Sequence, residues 1–251
     1  MAHKYLDAAI EAAKEAGEAI RKIYEDPASD FEIEKKADNS PLTVADRRAN
    51  DIIQAILRER MPYPVLSEEG AHVDYATRRT WDTLWIVDPL DGTKEFIKRN
   101  GEFTVNIALV QNTIPVLGVI YIPTSRELYF AAEGVGAYKG PKRLPLKQER
   151  DTFVVVASRS HLNAETEAYI DELKKTHTRV EVARGGSSIK ICLVAEGAAD
   201  VYPRFAPTME WDTAAGHAIA RMAGREIYQA DTGEPLRYNK ENLLNPWFVV
   251  K

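Results

Sequence analysis

A chain of 251 residues with 45% hydrophobic and 28% charged residues has room for a sizeable core and no compositional bias toward disorder. The net charge of −5 leaves no basic stripe to bind a nucleic-acid duplex, although a bound divalent cation would reverse the sign locally for a small anionic substrate. The single cysteine, Cys192, excludes an intramolecular disulfide and suits a reducing compartment. The acidic N-terminal stretch lacks a signal-peptide core, and no apolar run approaches the length of a membrane span.

In chain order, residues 4–24 place Leu6, Ala9, Ile10, Ala13, Ala16, Ile20 and Ile23 on one helical face, closed by Asp26-Pro27. Thr43 and Asp46 have capping-box-like spacing before a second helix with Ala45, Ala49, Ile52, Ile53, Ile56 and Leu57 inward. Pro62 and Pro64 end it and lead to a short strand, Val65-Leu66, that runs into Ser67-Glu68-Glu69-Gly70. The apolar run Leu84-Trp85-Ile86-Val87 predicts a buried strand stopping at Asp88, with a turn forced by Pro89 and a helical segment opening at Asp91-Gly92-Thr93. Residues 104–110, 116–122 and 128–132 read as a run of strands, and 134–138 as a turn followed by a final hairpin strand.

The charged, proline-bearing stretch 139–151 is the expected domain boundary, dividing a metal- and phosphate-binding part, 1–145, from a substrate-recognition part, 146–251. Beyond it strands (153–157, 180–182, 200–202, 227–228, 247–250) alternate with helices (164–176, 188–196, 213–223). The first half thus reads as α+β and the second as α/β.

Asp88 and Asp91 flank a strand end and a helix start at once. That turn offers backbone N–H groups to a phosphate, while the adjacent carboxylates require an intervening cation such as Mg²⁺. The spacing differs from the D-x-D-G-T phosphotransferase signature, because Pro89 and Leu90 both separate the two acids. Glu68 and Glu69 follow a strand expected to end on the same sheet edge, where they would complete an oxygen-ligand cage. Asp212 reads equally as a helix cap and as a ligand, and Thr93 as a helix-start hydroxyl or a water-orienting group. Gly185-Gly186-Ser187-Ser188 precedes a helix, either as a cap or as a second anion contact with Lys190; His161 sits in a loop, and Cys192 lies on an apolar helix face. Scarce His and Cys argue against zinc.

Glu68-Glu69, Asp88-Pro89-Leu90-Asp91-Gly92-Thr93 and Trp211-Asp212, in this order, resemble the inositol monophosphatase-like superfamily of lithium-sensitive, Mg²⁺-dependent phosphatases, over essentially the whole chain. Longer strings resemble its 3′(2′),5′-bisphosphate nucleotidase branch: Lys36 to Pro41, Leu66 to Glu69, Asp91 to Asn106, Ser158-Arg159-Ser160-His161, Gly186 to Lys190, and Tyr202-Pro203-Arg204-Phe205. The resemblance implies a layered αβαβα sandwich, two or three Mg²⁺ per site, and hydrolysis of adenosine 3′,5′-bisphosphate to AMP and phosphate, linked to sulfur metabolism. Its sulfated analogue, 3′-phosphoadenylyl sulfate, is a further candidate substrate; inositol or fructose phosphates, and a non-catalytic sensor, are the alternatives. Carried over by position, Glu68, Asp88, Asp91 and Asp212 are metal ligands, with the Leu90 carbonyl. Glu68, Thr93 and Asp46 hold the attacking water, Gly92 and Thr93 hold the phosphate, and Ser158, His161, Ser187, Lys190 and Arg204 grip the nucleotide. The resemblance implies a cytoplasmic monomer or homodimer, in solution or peripheral at the inner face of the cell membrane.

Overall fold

The computed structural model describes residues 2–31, 33–35, 41–60, 62–70, 73–147, 149–158 and 163–251. The first half contains α1 (Ala2–Glu25), β1 (Glu34–Lys35), β2 (Pro41–Leu42), α2 (Val44–Arg60), β3 (Val65–Ser67), α3 (Tyr75–Arg78), β4 (Thr83–Asp91) and α4 (Thr93–Ile97). Five strands follow: β5 (Thr104–Gln111), β6 (Ile114–Ile122), β7 (Glu127–Ala132), β8 (Gly136–Lys139) and β9 (Lys142–Arg143). The second half runs β10 (Phe153–Ser158), α5 (Ala164–Thr176), β11 (Val180–Gly185), α6 (Ile189–Glu196), β12 (Tyr202–Arg204), α7 (Glu210–Met222), β13 (Ile227–Gln229) and β14 (Phe248–Val250).

Strands β3 to β9 form one seven-stranded sheet in sequence order, parallel only at β3·β4. Strand alternation splits its side chains between two faces. Trp85, Val87, Val105, Ile107, Leu109, Val119 and Tyr121 meet α1 and α2 on one side. Leu84, Ile86, Ala108, Val110, Ile120 and Ile122 meet α6 and α7 on the other. Both helix layers lie hard against β6. A methyl group on Gly17 of α1 would overlap the Tyr121 ring, and one on Gly118 would overlap the Ala215 carbonyl of α7.

The second layer of strands pairs β10 with β11 in parallel and orders β12-β14-β13 antiparallel, joined by a bridge between Val155 and Val201. α5 covers its outer face through Ile170, which packs with Val155, Val201, Phe205 and Val249. The layers are therefore α1/α2, sheet, α6/α7, sheet, α5, the expected αβαβα sandwich. The larger core cluster draws residues from both sides of the 139–151 stretch, from Leu66 to Val250. No helix of the described residues is long and apolar enough to cross a membrane.

Three local departures from the sequence reading matter for the site. β4 does not stop at Asp88: it continues to Asp91, and its register against β5 shifts between Asp88↔Asn106 and Asp91↔Thr104. Proline has no N–H to give the ladder, and a bulge is where a sheet tolerates it. α7 begins at Glu210, not Thr213, so Asp212 lies inside the first turn. β12 begins at Tyr202 because the Asp200 carboxylate is taken by Arg150, at 2.8 and 3.0 Å, and by the Val154 N–H at 2.7 Å.

Candidate active site

The parallel pair β3·β4 brings the chain segments after Ser67 and after Val87 to one sheet edge, with the Glu68 N–H bonded to the Val87 carbonyl at 3.1 Å. In an unbroken strand, residues three apart face opposite sides. The extra residue of the β4 bulge turns Asp91 back toward the side of Asp88, so the irregularity created by Pro89 is what gathers the two acids. α7 delivers Asp212 from the far half of the chain. Carboxylate oxygens of Glu68, Asp88 and Asp212 all lie within 4.8 Å of one another.

Asp88, Asp91 and Asp212 each have a hydrogen-bond donor of their own. Asp88 is buried, and its Oδ1 accepts the Leu90 N–H at 3.1 Å. Asp212 Oδ2 accepts the Met209 N–H at 2.7 Å, so this residue caps its helix and faces the cluster as well. Asp91 Oδ2 accepts from the Ser188 hydroxyl at 2.6 Å and from Asn106 Nδ2 at 3.3 Å. Burial, reinforced by the charges of Glu68, Asp91 and Asp212, pushes the Asp88 carboxyl well above the usual range. Burial and the charges of Asp91 and Glu68 push Asp212 up to about 8. Among the described residues neither aspartate has a lysine or arginine ion pair. Clustered, mutually repelling oxygen donors around a buried Asp88 fit a hard divalent cation, and Leu90, buried beside them, adds a carbonyl whose oxygen lies 3.3 Å from the Thr93 hydroxyl.

Behind the acids, Asp46 Oδ2 accepts the Thr43 N–H at 2.8 Å and the Thr43 hydroxyl, closing the capping box at the start of α2. Its other oxygen accepts the Thr93 hydroxyl at 3.1 Å. Gly92 adopts the left-handed φ of 93° that starts α4, and a side chain there would crowd the Glu102 carbonyl and Ser187.

A cleft of about 200 Å³ opens above these groups. Glu68, Asp91, Gly92, Thr93, Ser158, Ser187, Lys190, Arg204 and Asp212 all line it. Ser158 and Gly185 pair at the carboxyl ends of the parallel strands β10 and β11, the edge where open α/β sheets take ligands. The Ser187 hydroxyl is buried without a partner, and so is Arg204 Nε, whose guanidinium otherwise donates to the Pro207 carbonyl at 3.2 Å. Lys190 is buried, donates to the Ser187 carbonyl at 2.6 Å and lies 5.4 Å from the centre of the Tyr202 ring. Burial pushes its ammonium down to about 8. His161, Arg159, Ser160 and the 36–40 string lie outside the described residues.

Two positioning residues escaped the sequence reading. Ser188 donates across the halves to Asp91, lies 2.8 Å from the Asp212 carbonyl, and accepts from Asn106 Nδ2 at 2.8 Å. Asn106 carried a usable signal: Thr104 and Asn106 are polar at period two inside an otherwise apolar strand, and both are buried. Ser188 carried only the reading of a helix cap or an anion contact, neither of which points to Asp91. Ser188→Ala is expected to lower kcat/KM about 10–100-fold, the usual cost of losing a group that orients a metal ligand, with little change in melting temperature. Wild-type kcat/KM in this variant would remove Ser188 from the site.

The similarity of this chain to known proteins is specific. The inositol monophosphatase family model matches residues 1–247. The chain is 48% identical over 251 residues, 98% of each sequence, to the 3′(2′),5′-bisphosphate nucleotidase CysQ of Escherichia coli O157:H7. The crystal structure of CysQ from Bacteroides thetaiotaomicron superposes with a TM-score of 0.91 at 67% identity, covering 98% of this chain and 96% of that one. Inositol monophosphatase from Anabaena superposes with a TM-score of 0.74 at 26% identity, covering 99% and 90%. The chain belongs to the inositol monophosphatase family.

Proposed function

We propose that this chain is a Mg²⁺-dependent 3′(2′),5′-bisphosphate nucleotidase that converts adenosine 3′,5′-bisphosphate and water to AMP and inorganic phosphate. The observation that carries this reading is one cleft lined both by members of the acid cluster, Glu68 and Asp212, and by anion-binding groups, Ser187, Lys190 and Arg204. The high identity to CysQ chains over nearly the full length supports the substrate class.

Phosphate monoester hydrolysis needs charge neutralisation and in-line positioning more than covalent help. Glu68, Asp88, Asp91, Asp212 and the Leu90 carbonyl would hold two or three Mg²⁺. When bound, the cations neutralise phosphoryl oxygens and supply Lewis acidity at the attacking and leaving oxygens. The chain's own groups do the rest. The Thr93 proton is committed to the charged Asp46 acceptor, so the Thr93 oxygen keeps its lone pairs for a water proton. Glu68 faces the same point and takes part in removing that proton. The water oxygen bonds to phosphorus, the P–O3′ bond breaks, and the 3′ oxygen takes a proton from water held near Asp212. Gly92 and Thr93 would offer backbone N–H groups to the scissile phosphate. Ser187, Lys190 and Arg204 would take the 5′-phosphate, with Ser158 and His161 on the nucleoside.

In this division of labour residues 1–145 supply most of the chemistry and 146–251 choose the substrate, with Asp212 crossing over. The reaction would belong to the cytoplasm, where a buried unpaired Cys192 is at home. Measuring phosphate release from adenosine 3′,5′-bisphosphate, inositol 1-phosphate, fructose 1,6-bisphosphate and AMP tests the assignment. Preference for the bisphosphorylated nucleotide is expected; preference for either sugar or inositol phosphate would overturn the substrate class.

Lys190 gives the cleft a pH dependence of definite sign. Its ammonium is charged below pH about 8 and lost above it, so KM for the bisphosphate should rise as pH climbs through about 8. In Lys190→Met, KM should be raised about 10–100-fold at pH 7 and that limb should vanish. A pH profile of Lys190→Met parallel to wild type would show that another group titrates.

A further inference from the structure

Asp212 must present a carboxylate to two others that repel it, and it stands in the first turn of a helix, where a small rotation would relieve the repulsion. Something must resist that rotation. The next residue, Thr213, lines the cleft, is buried and occupies a hub. Its oxygen accepts from the Tyr238 hydroxyl at 3.3 Å and from Asn245 Nδ2 at 3.1 Å, while its own proton goes to the Glu210 carbonyl at 3.3 Å.

Both donors are buried and anchored elsewhere. Tyr238 OH meets His217 Nδ1 at 2.9 Å, and His217 Nε2 is paired with Glu226. The Asn245 amide also donates to the Met209 carbonyl at 2.7 Å. That same Met209 gives its N–H to the Asp212 carboxylate, so its two peptide groups are gripped from opposite directions, one by Asn245 and the other by the Asp212 side chain in the helix cap. None of these bonds is needed to close the helix ladder. All of them fix the azimuth of its first turn.

We infer that Thr213, backed by Tyr238 and Asn245, is a positioning residue that holds the Asp212 carboxylate at the cation site. The inference rests on reading the acid cluster as that site.

Thr213→Val keeps the shape and removes the oxygen that Tyr238 and Asn245 both contact, whereas Thr213→Ser keeps the oxygen. Mg²⁺ binding to the nucleotide-free protein, followed by calorimetry, is the primary readout, with the Mg²⁺ dependence of phosphate release beside it. Thr213→Val is expected to bind Mg²⁺ about 10–100-fold more weakly and to recover kcat at saturating Mg²⁺, with Thr213→Ser within about twofold of wild type. Wild-type cation affinity in Thr213→Val, or equal impairment in Thr213→Ser, would overturn the inference and leave the group merely structural. Should Thr213→Val not fold, Tyr238→Phe removes one donor without a cavity. A few-fold loss of Mg²⁺ affinity is then expected, and unchanged affinity would overturn the proposal. A wild-type protein that binds no divalent cation would overturn the metal reading as well, which separates the two failures.

Discussion

Asp88→Asn is expected to lower kcat by on the order of 10³-fold or more while raising the melting temperature of the cation-free protein. The first effect follows from removing one full charge from the most buried member of the acid cluster, where an electrostatic partner contributes far more than it does in water. The fold survives because asparagine keeps the shape, and its carbonyl still accepts the Leu90 N–H. The second effect is a linkage argument. The Asp88 and Asp212 carboxyls are raised above their unfolded values, so the folded chain binds protons that the unfolded chain has already released. Without a cation, stability therefore falls as pH rises from about 4, where the unfolded carboxylates ionise, toward the folded value of about 8 for Asp212. Asp88→Asn removes one of the two raised carboxyls from that window, so the cation-free variant should melt higher than wild type there. Mg²⁺ should raise the wild-type melting temperature in the same window and leave the variant nearly unmoved. Calorimetric scans between pH 5 and 8, with and without Mg²⁺, test the pair of effects together. Near-normal turnover, or a variant less stable than the wild type in the absence of cation, would remove Asp88 from the metal site.

Much of this arrangement is legible in the sequence because its signals are local. The apolar run before Asp88, the acids after Val65-Leu66, and the 3.6-residue periodicity of α1 and α2 each require only a few neighbouring residues to interpret. The parts that are not legible depend on partners far along the chain. Pro89 reads as a turn because a sequence shows the missing N–H but not the opposite strand that accommodates a bulge. α7 starts three residues early because Glu210, buried and paired with Lys240 at 2.6 Å, is stabilised by a segment thirty positions away. β12 slips because Asp200 is recruited by Arg150. Ser188 looks like an ordinary serine at a helix start until Asp91 and the Asp212 carbonyl close around it. The acids were readable; what aligns them was not.

Thr93→Val and Asp46→Asn are each expected to lower kcat about 10²–10³-fold, with the double variant no slower than the worse single one. The two residues act as one device. Asp46 is fixed first, by the Thr43 N–H and hydroxyl on one carboxylate oxygen, so its second oxygen reaches Thr93 from a rigid base. The Thr93 hydroxyl has a single proton and two acceptors in range, the Asp46 carboxylate at 3.1 Å and the Leu90 carbonyl at 3.3 Å. The charged acceptor wins, and the lone pairs are left toward the cleft. Asparagine in place of Asp46 breaks this logic without changing the shape of the side chain. Its amide carbonyl must stay with the two Thr43 donors, so its NH₂ faces Thr93 and donates to it. The Thr93 proton then turns away toward the Leu90 carbonyl, and the hydroxyl oxygen gives a lone pair to the new amide donor instead of offering it to water. Thr93→Ser keeps the hydroxyl and should retain most activity. Because the water is oriented only when both members are intact, losing either forfeits the whole contribution, which is the origin of the expected non-additivity. KM should move little in these variants, since the groups proposed to take the bisphosphate's second anion, Ser187, Lys190 and Arg204, are left intact. Additive losses in the double variant would show that Thr93 and Asp46 contribute through separate contacts, and a Thr93→Ser variant as slow as Thr93→Val would show that the methyl group's packing matters and the hydroxyl does not.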